Sequence, residues 1–347
     1  KSVVHGDDVG IRGEEDDSKA MEEMLGSKYE YRKEWEIGFE EGLPKVGRIL
    51  NRIITLIPGK PNRATIEPDS RHAELIIKTL GLEKAKGVDS PAEKLSAEQQ
   101  EKDMTTPLLS GEDVKLYRSV TMRGAYLAQD SPDVAEAFKT LARHMKEPRE
   151  AHLMRLKRAG RFFIKYPLLK NEMVSQGMFR TITVIVDTDF AGCGITRKST
   201  TGLGALLGRH CVKTLSNLQS TVSLASGESE FYGLVKAGQV GLGLKALLED
   251  WGIQCSVTLK SDSSAARSYA CRTGLGKIRH VQTRFLWIQK RVANGDLNIE
   301  AIRGKANPAD LMTKPLQGSA RLSCLQRLGF TYGDKSEKQK NVLSGNG

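Results

Sequence analysis

Four acidic residues in the second half of the chain stand in four separate sequence contexts. Asp187 lies in VIVDTDFAG, Glu230 in ASGESEFYGL, Asp262 in TLKSDSSAA and Asp310 in NPADLMTKPL. Carboxylate oxygens are the ligands that a hard cation such as Mg²⁺ prefers, and a pair of such ions stabilises both the attacking and the leaving oxygen when a phosphodiester bond is cleaved. The four acids therefore predict the ligand set of a two-metal nuclease that uses two Mg²⁺ or Mn²⁺ ions.

The elements around these acids must bring them together. A β-branched run at 178–190 and two further strand candidates precede a long helix at about 226–250. A strand at 255–262, helices at 263–272 and 280–294, a strand in DLNIEAIRG and a helix in NPADLMTK follow. Asp187 and Asp262 each close a strand, and neighbouring strands lie about 4.8 Å apart. Glu230, in the first turn of the long helix, should point at the sheet, and Asp310 should pack at the same end. The pattern predicts an α/β fold with a mixed sheet flanked by helices.

The composition describes a globular protein with a polyanionic partner. The chain has 347 residues, enough for two or three domains, and no apolar run approaches the roughly 20 residues that cross a bilayer. The net charge is +11 and the pI about 9.3, and residues 143–180 hold ten Lys or Arg against three acids. Basic side chains that neutralise phosphates release counterions, which favours nucleic acid as the partner. A solvated helix face plus a linker is the alternative interpretation of the basic stretch.

The five cysteines are scattered and form no Cys-x-x-Cys pair, which is typical of reduced thiols. This pattern predicts an intracellular setting, cytoplasmic or nuclear, and argues against structural zinc. The first residue is Lys and no signal peptide is recognisable, so we expect the chain to be the carboxy-terminal part of something longer.

The motifs at 178–318 resemble a known family. VDTDFAG, RKSTTG, SLASGESEFYGL, SDSSAA, KIRHVQTRFLWI and NPADLMTKPL follow one another as in the ribonuclease H domain of copia-type retrotransposon polyproteins. The resemblance implies an enzyme that cleaves the RNA strand of an RNA–DNA hybrid, with Asp187, Glu230, Asp262 and Asp310 at the metals. Asp189 and Glu228 are close neighbours of these ligands, but the family pattern selects the first acid of DTD and the second of ESE.

Upstream segments resemble other parts of the same polyproteins. The segment beginning YRSVTMRGAYLAQD is similar to their connection region, and VVHGDDVGIRG is similar to their polymerase hairpin. This likeness makes Asp7 and Asp8 polymerase-type metal ligands in an incomplete site, because the other polymerase elements would precede residue 1. His5 and Gly6 depart from the family pattern, and an ordinary hairpin is the alternative.

The resemblance implies four segments. They are a remnant of the reverse-transcriptase palm and thumb at 1–105, a helical connection at 106–175, a ribonuclease H-like domain at 176–318 and a partly disordered tail at 319–347. The missing upstream polymerase portion is an expected partner, whereas a membrane is not.

The predicted helix at 280–294 supplies candidate nucleic-acid contacts. Arg279, Arg284 and Arg291 are expected to follow phosphates, and His280 matches the family. A histidine near a helix start also acts as a capping or packing residue, so both interpretations stay open.

Two further hypotheses compete with a hybrid nuclease. One is a catalytically silent or repurposed retroelement fragment that still binds nucleic acid. The other is a transposase or resolvase that uses similar acids on DNA, which the TKPL ending disfavours.

Overall fold

The computed structural model describes residues 2–5, 8–167, 169–276 and 280–333. The strands are β1 (Ser2–His5), β2 (Asp8–Ile11), β3 (Val46–Ile49), β4 (Arg52–Ile57), β5 (Arg63–Pro68), β6 (Leu169–Val174), β7 (Thr181–Asp189), β8 (Thr200–Leu207), β9 (His210–Leu218), β10 (Ser256–Ser261), β11 (Asn298–Ala301) and β12 (Phe330–Tyr332). The helices are α1 (Glu15–Gly26), α2 (Ser70–Thr79), α3 (Ala97–Asp103), α4 (Gly111–Leu127), α5 (Pro132–Ala142), α6 (Glu150–Lys165), α7 (Ser226–Asp250), α8 (Ser264–Cys271), α9 (Trp287–Ala293) and α10 (Gly318–Arg327). Short 3₁₀ helices cover Thr283–Leu286, Gly304–Ala306 and Pro308–Met312.

A mixed five-stranded sheet forms the carboxy-terminal half, in the order β11-β10-β7-β8-β9. Strands β7, β8 and β9 form an antiparallel meander, whereas β10 runs parallel to both β7 and β11. The parallel pairs need crossover connections, and α7 supplies the one between β9 and β10. The predicted α/β class, with a mixed sheet and flanking helices, is confirmed.

Both faces of this sheet are covered. Helices α7 and α8 bury one face in a core that includes Val184, Phe231 and Leu259, all fully buried. The other face carries a second cluster with α10 and the 3₁₀ helix Pro308–Met312, including Met312 and Leu325. Small residues let α7 approach closely, since an ideal Cβ on Gly241 would lie 2.5 Å from Val257 Cγ1. This close approach holds the middle of α7 against β10, the strand that Asp262 follows.

A second five-stranded sheet, in the order β12-β6-β5-β4-β3, joins parts of the chain that are far apart in sequence. Strand β5 pairs antiparallel with β6, which places Arg63 opposite Val174, and β6 pairs with β12. Residues of the expected segments 1–105, 106–175 and 319–347 thus share one sheet. Within the expected tail, α10 and β12 are regular packed elements. The four-segment division therefore does not coincide with separate packing units, and as a functional division it remains a proposal.

Several predicted elements differ from the observed ones. The strand predicted at 29–39 is irregular, and its aromatic residues Tyr29 and Tyr31 are exposed. The helix predicted at 132–166 is two helices, because Pro148 falls between α5 and α6. Strand β7 continues two residues beyond Asp187, and the helix predicted at 280–294 becomes a 3₁₀ turn followed by α9. Within the described ranges, no helix is both long and apolar enough to span a bilayer.

Candidate active site

Two of the predicted acids meet at one edge of the mixed sheet. Strands β7 and β10 are parallel, and Lys260 lies opposite Ile185. Asp187 and Asp262 each follow this pair by two residues, so the register carries both to the same level. Asp187 is 3% exposed, whereas Asp262 is exposed to solvent. The site therefore has one carboxylate held inside the fold and one that faces outward.

Glu230 joins these two carboxylates from the first turns of α7. One carboxylate oxygen from each of Asp187, Glu230 and Asp262 lies within 4.8 Å of the others. We call these three residues the acidic trio. Glu230 is 7% exposed, and its Oε2 is buried and has no hydrogen-bond partner within the described part of the chain. Burial, and then the charge of Asp187, raise the pKa of Glu230 to about 8. A divalent cation would satisfy this orphaned oxygen and offset the repulsion, so the trio fits a hard metal ion.

Asp310 approaches Asp187 from the opposite side of the sheet edge, on the 3₁₀ helix Pro308–Met312. Asn307 anchors this segment, because its side chain donates to Val186 O at 3.0 Å and accepts from the Ala309 N–H. Lys314 Nζ lies 2.6 Å from Asp310 Oδ1 and 3.3 Å from Asp187 Oδ2. The fourth predicted acid is therefore next to Asp187 and linked to it through a lysine.

Two residues that sequence reasoning missed complete this part of the site. Thr313 Oγ1 donates a hydrogen bond to Asp187 Oδ2, and Lys314 bridges Asp187 to Asp310. Both follow the Asp310 motif directly, in LMTKPL, so the polar Thr-Lys pair was the available signal. Burial raises the pKa of Asp187, although Lys314 and Thr313 oppose this shift.

Glu228, the acid two positions before Glu230 in its motif, has partners outside the acidic trio. Glu228, 1% exposed, accepts hydrogen bonds from the Leu224 N–H at 2.9 Å, Tyr232 Oη at 2.7 Å and His280 Nε2 at 2.9 Å. Burial acts to raise the pKa of Glu228, but the Tyr232 and His280 hydrogen bonds outweigh it and the pKa is lowered. Glu228 is therefore a saturated structural carboxylate rather than a member of the trio.

Asp189 faces a basic group outside the trio. Burial raises its pKa, and the charge of Lys139 opposes the shift. Lys139 belongs to α5, and its Nζ donates to Thr200 Oγ1 at 2.9 Å, where Thr200 pairs with Asp189. This hydrogen bond connects the helical region to the strand beside the end of β7.

One of the candidate phosphate-binding residues contacts the first turn of α7. His280 hydrogen-bonds Glu228, two positions before Glu230. Arg284 is exposed above the Phe285 ring, with 4.8 Å from the guanidinium carbon to the ring centroid. Arg291 pairs with Asp296 at 3.1 Å and lies over Trp287. Arg279 is outside the described residues. The structure thus holds His280 in a hydrogen bond with Glu228 and leaves Arg284 facing solvent.

The polymerase-type pair lies at the other end of the chain. Asp8 is exposed at the start of β2, where it pairs with His5 in the β1–β2 register. Asp7 lies outside the described residues. Among the residues that the structure describes, only the acidic trio forms a group of three or more metal-ligating side chains.

Gly202 controls how closely the Asp310 segment approaches β7. It pairs with Asp187, and an ideal Cβ there would lie 2.9 Å from the Ala309 carbonyl oxygen and 2.7 Å from Thr313 Cγ2. We expect Gly202→Ala to push this segment outward, lowering stability by about 1–3 kcal/mol, as overpacking typically does, and lowering any nuclease activity about tenfold.

Gly204→Ala is the matched control, because on the same strand an ideal Cβ there meets only the tip of Leu328, at 2.9 Å. Thermal unfolding and cleavage assays should show a smaller loss for this variant. Equal losses in both variants would contradict a specific role for Gly202.

Known proteins provide an independent comparison. No protein family model matches the chain. The chain is 26% identical over 245 residues to the retrovirus-related Pol polyprotein from transposon RE1 of Arabidopsis thaliana, covering 66% of this chain and 17% of that protein. It is 25% identical over 208 residues to the corresponding polyprotein from transposon TNT 1-94 of Nicotiana tabacum, covering 57% of this chain and 15% of that protein. The chain therefore spans less than a fifth of these polyproteins.

A further relative and a solved structure complete the comparison. Secreted RxLR effector protein 161 of Plasmopara viticola is 30% identical over 138 residues, which cover 40% of this chain and 91% of the effector. The foamy viral protease-reverse transcriptase in complex with dsDNA has a TM-score of 0.49 and 11% identity, covering 87% of this chain and 55% of that chain. This structural likeness is too weak to assign a function. The chain is similar, over about 60% of its length, to retrovirus-related Pol polyproteins from plant transposons.

Proposed function

We propose that the chain is a metal-dependent ribonuclease H that cleaves the RNA strand of RNA–DNA hybrids, as the carboxy-terminal part of a retrotransposon reverse transcriptase. The acidic trio is the observation that carries the proposal, because three carboxylates within 4.8 Å include a buried oxygen without a partner in the described chain. Such a group is costly to maintain for structure alone. The relationship to Pol polyproteins supplies the substrate class.

The proposed roles of the side chains follow from their positions. Asp187, Glu230 and Asp262 would hold one divalent ion, and Asp187 with Asp310 would hold a second. When bound, such a pair of Mg²⁺ or Mn²⁺ ions supplies charge stabilisation at the attacking and leaving oxygens. Thr313 orients Asp187 through its hydrogen bond. Exposed Arg284 would bind backbone phosphate beside the trio, and recognition of hybrid would rest on duplex geometry and 2′-hydroxyls.

The other parts of the chain have narrower proposed roles. Segment 1–105 is the proposed polymerase remnant, with Asp7 and Asp8 as ligands that need the upstream polymerase portion as partner. Residues 106–175 are the proposed connection, whose α5 donates a hydrogen bond through Lys139 to Thr200, the residue paired with the last residue of β7. The five cysteines are unpaired in the structure, which fits the proposed intracellular setting.

The test is a cleavage assay on the whole chain, since a fragment that begins near residue 170 would separate β6 from its partner β5. We expect the RNA strand of a labelled hybrid to be cleaved with Mg²⁺ or Mn²⁺ and to stay intact with chelator. Duplex DNA and duplex RNA, incubated in parallel, should remain uncut.

Two outcomes of this assay would favour another function over a hybrid nuclease. Binding of the hybrid without turnover in either metal would favour a silent or repurposed nucleic-acid-binding fragment. Cleavage of duplex DNA at a similar rate would favour the transposase or resolvase alternative.

A further inference from the structure

The Lys314 side chain occupies a position between two proposed metal ligands. Its Nζ lies 3.3 Å from Asp187 Oδ2 and 2.6 Å from Asp310 Oδ1, and the side chain is 44% exposed. An ammonium nitrogen that bridges two carboxylates stands where a shared cation would otherwise neutralise them. Asp187 also belongs to the acidic trio, with Glu230 and Asp262.

Local structure keeps Lys314 in this position. Its backbone N–H donates to Asp310 O at 3.0 Å, directly after the 3₁₀ helix Pro308–Met312. Thr313, the residue before it, donates to the same Asp187 oxygen that Lys314 approaches. Asn307 fixes the start of the segment on β7. Lys314 thus lies next to the Asp187–Asp310 pair because the segment 307–313 is hydrogen-bonded to β7 at both of its ends.

Lys314 places a positive charge against both carboxylates of the Asp187–Asp310 pair. The Asp187–Asp310 pair therefore carries its own positive counter-charge, whereas Glu230 Oε2 in the trio has no partner within the described residues. A metal ion at the trio would therefore neutralise an uncompensated negative charge, whereas an ion at the Asp187–Asp310 pair would compete with Lys314.

We propose that Lys314 is a resident counter-ion of the Asp187–Asp310 pair, and that a divalent ion binds this pair only when the lysine side chain withdraws. This inference rests on the proposed metal-dependent function and deepens it. The trio would bind the first ion without competition, and the second ion would bind more weakly because it must displace an ion pair. An exposed, four-carbon side chain is free to make this movement.

Mn²⁺ binding to the whole chain, measured by isothermal titration calorimetry without nucleic acid, tests the proposal. For the wild type we expect a tighter and a weaker site. Lys314→Gln removes the competing charge and should tighten the weaker site about two- to fivefold, the range expected for loss of a partly exposed ion pair. Lys314→Arg keeps a charged bridge and should leave that site at or below wild-type affinity.

Lys305→Gln controls for the general effect of removing a nearby positive charge. Lys305 is exposed, and its neighbour Gly304 lies beside Asp262, since an ideal Cβ there would be 3.0 Å from Asp262 Oδ2. At about 1 M KCl, where the Debye length is about 3 Å, the effect of Lys305→Gln should vanish while that of Lys314→Gln persists.

The outcomes separate this inference from the function on which it rests. Two Mn²⁺ sites in the wild type with unchanged or weakened binding in Lys314→Gln would overturn the role of Lys314 and leave the nuclease proposal standing. Equal tightening in Lys305→Gln at high salt would also overturn it. A wild type that binds no Mn²⁺ would overturn both, and circular dichroism of each variant would establish that its fold is intact.

Discussion

The Asp262→Asn variant is expected to lose about a thousandfold in hybrid cleavage, equivalent to about 4 kcal/mol of transition-state stabilisation. The change is nearly isosteric and removes only the negative charge of one proposed metal ligand. Because Asp262 is exposed at the end of β10, the substitution should not disturb the core. Binding of the hybrid should be retained or slightly improved, since a negative charge facing the phosphates is lost.

The measurement combines cleavage of labelled RNA in a hybrid with fluorescence anisotropy of binding, both in Mg²⁺. Asp250→Asn is the control, because it makes the same chemical change at an exposed residue at the far end of α7. About twenty helical residues separate Asp250 from Glu230, or roughly 30 Å along the axis. Cleavage retained in Asp262→Asn would remove this residue from the site.

The carboxy-terminal sheet was predictable because its signals are local. Each element is indicated by a pattern within about ten to twenty residues. These patterns are the β-branched run of β7, the apolar stretch of β10 and the small-residue face of α7. Parallel pairing of β7 and β10 then places Asp187 and Asp262 at one level without further information. The convergence of the trio follows from elements whose existence the sequence indicates directly.

The second sheet was not predictable by the same reasoning. Strand β6 reads LKNEMV and alternates poorly, and its partners β5 and β12 are about 100 and 160 positions away. Such pairing is stabilised by contacts that no short window contains. Conversely, the alternating pattern at 29–39 resembles that of a strand, but the segment is irregular and Tyr29 and Tyr31 are exposed.

The contact of Lys314 with Asp187 was also not predictable, because it joins residues that are far apart in sequence. In sequence the lysine follows Asp310 by four residues, and that neighbourhood alone indicates a local ion pair. Its second partner, Asp187, is reached only because Gly202 and Asn307 dock the segment onto β7. A side-chain network that joins three separate segments depends on distances that the order of motifs does not contain.

The Glu230→Gln variant is expected to be more stable than the wild type without metal and to lose the stabilisation that metal provides. The folded-state pKa of Glu230 is about 8, raised from 4.5 by burial and the charge of Asp187. The folded state thus binds a proton that the unfolded state releases between these two values, so this residue lowers stability progressively as pH rises from 4.5 to 8. At pH 7 the loss is about 3 kcal/mol, which a neutral amide avoids.

Thermal unfolding at about pH 5, 7 and 8.5, with chelator or with Mn²⁺, measures this effect around the two pKa values. With chelator the stabilising effect of Glu230→Gln should be small at the lowest pH and grow as pH rises. With Mn²⁺ the wild type should gain stability because the ion binds only the folded state, while the variant should gain little.

Glu228→Gln is the matched control in the same helical turns. Its carboxylate is saturated by Leu224, Tyr232 and His280, and its pKa is lowered, so it contributes stability above the unfolded pKa. Replacing it should therefore destabilise the protein at neutral pH, with or without Mn²⁺. If both substitutions shifted stability in the same direction with chelator, the distinction between a metal-binding and a structural glutamate in this helix would be wrong. Opposite signs would instead follow from the contrast between a Glu228 carboxylate with three donors and a Glu230 oxygen that is buried without a partner in the described chain.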